Sequence, residues 1–291
     1  MIYVRYPTAL RAALSTAALA LIVSPHASFA AAAQTENAVL QPGVAYATLA
    51  DFVVAAPLIV DATVRSATRI KGAEAANVAP GTARFYVEAD VVALVRGSDG
   101  VPPRVGYVVD VATDASGKPP KLKKRRMLLF ARPVLGSPGQ IQLVGRGAQL
   151  NWSADSNARV RRIAAEIVAA DAPPAITGIG SAFHVPGALP GEGETQIFLT
   201  TADNRPVSLS VLRRPGEEPR WAVALSEIVD EAAAPPTRDT LLWYRLACGL
   251  PATLPAGATA SLDPDAAEKA RQDYAFVITA LGPCGRAASV S

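Results

Sequence analysis

From position 46 onward, apolar and polar side chains alternate in short runs, the period of half-buried β-strands. Leu58 to Thr68 places Ile59, Ala62 and Val64 on a buried side and Thr63, Arg65 and Thr68 on a wet one. Phe52-Val53-Val54, just before it, also has strand composition. Thr82 to Val95 sets Phe85, Val87, Ala89, Val91 and Ala93 against Arg84, Tyr86, Glu88, Asp90 and Val92. Between these two runs Ala73 to Gly81 is a small, polar loop, and Arg96-Gly97-Ser98-Asp99-Gly100 is a turn signal. Val105 to Ala112 and Met127 to Val134 predict a third and a fourth strand, and Gln140 to Val144 a short fifth. Five strands at this spacing suit a small barrel or sandwich.

The period lengthens at Ser153 to Ala170, where Val160, Ile163, Ala164, Ile167 and Val168 recur at helical spacing. Ser153 or Asp155 can cap this helix, and Pro173-Pro174 stops it. Ile176 to Val229 returns to strand. Thr195 to Thr201 and Pro206 to Arg213 form a hairpin across 202–205, and Trp221 to Ile228 follows the turn at 215–218. Beyond the small-residue linker 232–236, Thr237 can cap a short helix through Cys248. Asp263, with Pro264 at the first helical position, opens a longer one that ends at Gly282-Pro283. Ala267, Ala270, Tyr274, Val277 and Leu281 give it one apolar face.

These patterns predict an α+β fold. An OB-like small β-barrel (46–150) leads into a connecting helix (151–175), a second β-rich domain (176–235) and a helical C-terminal segment (236–291). Only 18% of the 291 residues are charged and half are hydrophobic, which excludes a disordered chain. The two cysteines exclude a disulfide-rich scaffold and any all-cysteine metal site. Cys248 and Cys284 flank the C-terminal helix pair, and in an oxidising compartment they are expected to bridge. The rival reading, a redox-active pair, lacks the C-x-x-C spacing.

The first thirty residues change the charge arithmetic. Arg5 and Arg11 precede an apolar run, Ala12 to Val23, which is short for a span of about 20 residues. Ser28-Phe29-Ala30 then supplies small residues for cleavage, with Ala31 to Ala33 as equal alternatives. Residues 1–30 are therefore expected to be a Sec-type signal peptide, with 31–45 a flexible leader; the alternative is an uncleaved anchor. Removing the signal turns a net charge of +3 into 26 basic against 25 acidic residues and leaves His184 as the one histidine. No later apolar run reaches spanning length. The alanine content and the preference for Arg over Lys fit a GC-rich bacterial genome, so the expected destination is the periplasm or the exterior.

Three stretches of residues 46–150 resemble the netrin-like domain, the OB-type barrel of tissue inhibitors of metalloproteinases. They are Ala50-Asp51-Phe52-Val53-Val54 leading into Ile59 to Thr68, then Tyr86 to Gly97 with its Arg-Gly turn, and Arg126 to Ala131. The resemblance covers about a third of the chain. The N-terminal cysteine through which those inhibitors chelate the protease metal has no counterpart here, and neither do their internal disulfides. The resemblance therefore implies a fold and not protease inhibition.

Chemistry is sparse. His184 has Ser181, Glu194 and Asp203 nearby in sequence, but no G-x-S-x-G occurs, and a strand would point Ser181 and His184 to opposite faces. Glu192 and Glu194 flank Gly193 in what is more simply a solvated loop. No D-x-D-x-D-G loop is present, and Ala115-Ser116-Gly117-Lys118 lacks a phosphate loop's upstream glycine, so neither a metal nor a cofactor is expected. The distinctive feature is Lys121, Lys123, Lys124, Arg125 and Arg126, a candidate anion-binding run whose bland alternative is a wet arm of basic gatekeepers. The expected role is a non-enzymatic exported protein acting in binding or envelope assembly. Its partner would be an anionic envelope component or another envelope protein, and not nucleic acid. The alternatives are a hydrolase-type enzyme around His184, Ser181 and the 191–194 loop, and a purely structural envelope component.

Overall fold

Tyr46, Leu49, Ala50 and Val53 recur at i, i+3, i+4 and i+7. In the computed structural model, which describes residues 44–225 and 233–286, they are the buried face of a helix, α1 (Tyr46–Ala55). This corrects the strand expected at Phe52 to Val54. A valine in a helix costs only about 0.5 kcal/mol of propensity, whereas burying a Val- or Leu-sized side chain returns about 1.5–3 kcal/mol. The signal segment 1–30 and most of the expected leader lie outside the described residues.

The first sheet comprises β1 (Leu58–Arg69), β2 (Thr82–Arg96), β3 (Arg104–Ala112), β4 (Arg126–Pro133), β5 (Ile141–Leu143) and β6 (Gln149–Asn151). It is antiparallel in the order β3-β2-β1-β4-β5, and β6, which the alternation does not reveal, also pairs with β4. Leu58, Val60, Ala62, Met127, Leu129 and Ala131 face one core with Phe85, Val87 and Tyr107. Ile59, Leu128 and Phe130 face a second, shared with α1 and with α2 (Ala154–Val168). The central pair β1–β4 is thus buried on both faces. β3 also approaches β5: Gly106 bridges Gln140 in parallel, and its N–H donates to the Gly139 carbonyl at 2.7 Å. A Cβ at Gly106 would lie 2.3 Å from the Tyr86 hydroxyl and 2.9 Å from the Gln140 amide nitrogen, so both side chains would have to shift to admit one. Closure between β3 and β5 amounts to that one bridge, so the sheet is curled and a closed barrel is not established.

α2 starts as expected at Ser153. The Ser153 hydroxyl accepts the Ser156 N–H at 3.0 Å, and the Ser156 hydroxyl accepts the Ser153 N–H at 3.0 Å, a reciprocal cap. The second sheet is a meander, β10-β9-β8-β7, of β7 (Ile176–Pro186), β8 (Gly193–Thr201), β9 (Val207–Arg213) and β10 (Arg220–Ala224). The strand expected at Trp221 to Ile228 ends at Ala224, and 226–228 lie outside the described residues. α3 (Leu241–Gly249) is capped by Thr240 and not by Thr237, whose carbonyl accepts the Thr240 hydroxyl instead. α4 (Pro264–Leu281) has the expected bounds, with the Asp263 carboxylate accepting the N–H groups of Asp265 and Ala266. Its apolar face packs on the second sheet's inner side within the same core that holds α1, α2 and α3.

The fold is therefore α+β, with two antiparallel sheets and four α-helices among the described residues. Cys248 and Cys284 are disulfide-bonded, their Cα atoms 5.0 Å apart. Just past the bridge, Arg286 donates to both oxygens of Asp51 on α1, which also accepts the Tyr244 hydroxyl at 2.6 Å. The C-terminal segment is thereby tied back to the first helix. Among the described residues no helix is long and apolar enough to cross a membrane.

The disulfide closes a loop of sequence separation 36. Replacing both cysteines by serine should lower the unfolding free energy by about 3–4 kcal/mol on chain-entropy grounds, read from the urea midpoint. An unchanged midpoint would show that the bridge adds no effective constraint to the unfolded chain.

Candidate functional site

The basic run belongs to the connection between β3 and β4, residues 113–125. Asp114 organises its first half. Its carboxylate accepts the Ser116 hydroxyl at 2.6 Å and the N–H groups of Ser116 and Lys118 at 2.9 Å. Those bonds, the Ser116 hydroxyl foremost, hold the Asp114 carboxyl below its ordinary pKa. Pro119 and Pro120 remove two backbone donors and fix φ, and the buried Leu122 then anchors the chain in the first sheet's core.

The turn that follows is stitched to β1. The Lys124 N–H donates to the Val64 carbonyl at 2.7 Å, and the Val64 N–H donates to the Arg125 carbonyl at 2.8 Å. Lys124 itself has φ 70°, the left-handed region that costs a non-glycine residue about 1–2 kcal/mol. The two bonds to Val64 hold it there.

Between this connection and the ends of β1 and β2 lies a groove of about 630 Å³. Its floor includes Phe85, Ala67 and Leu122, and its rim is Lys118, Lys121, Lys123 and Lys124. All four lysines are exposed. Among the described residues lining it none is acidic; two carboxylates are hydrogen-bonded to its wall, Glu88 accepting the Ser66 hydroxyl at 2.8 Å and Asp114 the Lys118 N–H at 2.9 Å. Four like charges around a concave surface raise the local anion concentration.

Of the five predicted cations, the structure gathers Lys121, Lys123 and Lys124 and adds Lys118. Arg125 is exposed and does not line the groove. Arg126 is committed elsewhere. Its Nε and Nη2 donate to the two oxygens of Asp61 at 2.8 and 2.6 Å, and its guanidinium lies 4.0 Å over Trp152. Asp61 is 1% exposed on β1, so removing this partner would leave a buried carboxylate without a cation. The hydrogen bonds to Asp61 in turn push the Arg126 pKa above its ordinary value.

His184 lies on β7 opposite Thr195 on β8, its Nδ1 2.9 Å from the Thr195 hydroxyl oxygen. That hydroxyl donates to Asp273 on α4, 1% exposed, whose other oxygen accepts Arg213 Nε at 2.5 Å. Ser181 pairs with Phe198 on the exposed face, so the structure does not bring it to His184. Asp203 pairs with Arg205 at 2.8 Å in the β8–β9 turn, and Glu194 accepts from Gln196, so neither orients the imidazole. Glu192 stays in the β7–β8 turn, accepting the Leu189 N–H at 3.2 Å. Asp273 is the site residue that sequence reasoning missed. The available signal was a carboxylate beside Tyr274 on the otherwise apolar face of α4.

Among the described residues no group of His, Cys, Asp and Glu could hold a metal ion. Comparison with known protein families and with characterised proteins finds no match to this chain.

Arg126 and the lysines should behave differently. Arg126→Met leaves Asp61 buried without its cation, so it should lower the thermal midpoint more than Lys121→Ser, Lys123→Ser and Arg125→Ser together. Each of those exposed changes should fall within about 0.5 kcal/mol of neutral. Equal losses from the two sets would dissolve the distinction between clamp and rim.

Proposed function

We propose that this is an exported, non-enzymatic binding protein that docks on an anionic surface of the bacterial envelope through the lysine-rimmed groove. The observation that carries the reading is the asymmetry of the groove. Four lysines without an acidic partner on its lining surround a floor that includes Phe85 and Leu122. A phosphate-bearing lipid headgroup meets both parts, its charge on the lysines and its glycerol carbons on the floor. Each lysine near such a surface contributes about 1 kcal/mol, lost as salt shortens the screening length. The left-handed Lys124 supports the same reading, because conformational cost is tolerated where a side chain is needed in place.

Export itself is proposed from the first thirty residues and fits a disulfide-bonded chain. The first sheet is read as OB-like: β1 sits between β2 and β4, and the parallel bridge from β3 to β5 is the contact a partly open five-stranded barrel needs. The netrin-like resemblance is carried on that basis, as fold only. The hydrolase alternative is less well supported. Ser181 faces away from His184, and the hydroxyl that does touch it, Thr195, is already donating to Asp273.

The test is sedimentation with phosphatidylglycerol vesicles against phosphatidylcholine vesicles. Wild type should bind the anionic vesicles and release above about 0.5 M salt, where screening is strong. Lys118, Lys121, Lys123 and Lys124 changed together to Ser should weaken binding about 100- to 1000-fold. Lys124→Gly alone should raise stability by about 1 kcal/mol, by relieving the left-handed strain, and still weaken binding. Salt-insensitive binding, no binding by the wild type, or selective capture of an acidic glycan or protein instead would overturn the lipid reading.

A further inference from the structure

The polar chain behind His184 has a direction. Asp273 accepts from Arg213 at one oxygen and from the Thr195 hydroxyl at the other. The Thr195 proton is therefore committed to Asp273. Its oxygen can only accept from His184, which places the neutral ring's proton on Nδ1. Nε2 is left as a bare lone pair. Among the described residues Nε2 has no hydrogen-bond partner, and it is not one of the buried unpartnered atoms, so it is open to solvent. Gly193 permits this pose, since a Cβ there would lie 2.7 Å from Cε1 and 3.0 Å from Nε2.

His184 lines a cavity of about 510 Å³ between the β7–β8 turn and the first turns of α4. Its charged lining is of two kinds. Arg213, whose Nε alone is bonded to Asp273, and the exposed Lys269 supply cationic donors. Asp265 and the His184 lone pair supply acceptors. Asp263 and Glu192 each give one oxygen to backbone N–H groups at 2.9–3.2 Å and keep the other as a further acceptor. A singly charged ligand pairs its charge with only one of these sets.

We infer that this cavity is a second binding site, for a small zwitterion of the amino-acid class. The ligand's ammonium group faces His184 Nε2 and Asp265, and its carboxylate faces Arg213 and Lys269. The site is independent of the lysine groove and of its proposed role.

The experiment is long-range ¹H–¹⁵N correlation on the full-length protein, with His184→Gln assigning the ring against His26. In its neutral form the His184 ring should show a protonated Nδ1 and an unprotonated Nε2, a preference that Thr195→Val should abolish. Glycine and leucine should shift the Nε2 resonance. Acetate and methylamine, each carrying half the ligand, should bind at least tenfold more weakly. Lys269→Ser, a change at an exposed position, should weaken glycine binding about tenfold and leave the tautomer unchanged. A ring protonated on Nε2, no response to millimolar glycine, or acetate binding as tightly as glycine would each overturn the inference.

Discussion

The constraint on which the structure turns is that β1 and β4 must be covered on both faces. Leu58, Val60 and Ala62 alternate with Ile59 along one strand, and Met127, Leu129 and Ala131 alternate with Leu128 and Phe130 along the other. Neither side of this ribbon can meet water without exposing large aliphatic or aromatic groups. The curled sheet covers one side with Phe85, Val87 and Tyr107. The other side has to be closed from outside, and α1 does this with Leu49, Ala50 and Val53. The same core then continues through α2, α3 and α4 to the second sheet, so the two sheets are tied to one helical layer.

The groove follows from that ribbon. Because β1 is fixed by both cores, its outer end can serve as a template, and Val64 holds the Lys124 turn by two short backbone bonds. Two positions after Lys124, β4 begins with Arg126, which is drawn back onto Asp61 and over Trp152. Of the five cations from Lys121 to Arg126, one therefore works inside the fold, three join Lys118 around the groove, and Arg125 is exposed outside it. The second sheet repeats the theme at lower charge. Asp273 on α4 reaches Thr195 and Arg213, so the contact that helps dock the helix also sets the ring of His184.

Much of this was legible in the chain. Period-two alternation located β1 to β5, and the change to helical period located α2 and α4. Asp263-Pro264 and Gly282 marked α4's ends because their roles are local. What failed was non-local. Phe52-Val53-Val54 has strand composition, and its helical period shows only when the window is opened back to Tyr46; the packing that decides for the helix includes Phe130, far along the chain. β6 is three residues long and exists because β4 offers it an edge. The run Lys121 to Arg126 is uniform in sequence, and only the buried Asp61, 65 positions away, separates Arg126 from the rest. Asp273 is likewise defined by partners 60 and 78 residues distant.

The central claim is that the ribbon presents the Lys124 turn as a preformed anion-binding edge. Residue-resolved amide hydrogen exchange, with and without phosphatidylglycerol vesicles, tests it most directly. The account predicts that the Val64 and Lys124 amides are protected in the free protein and slow further when vesicles are added, the largest changes falling within residues 64–68 and 118–125. Rapid exchange of those two amides in the free protein, or slowing confined to other parts of the chain, would contradict it.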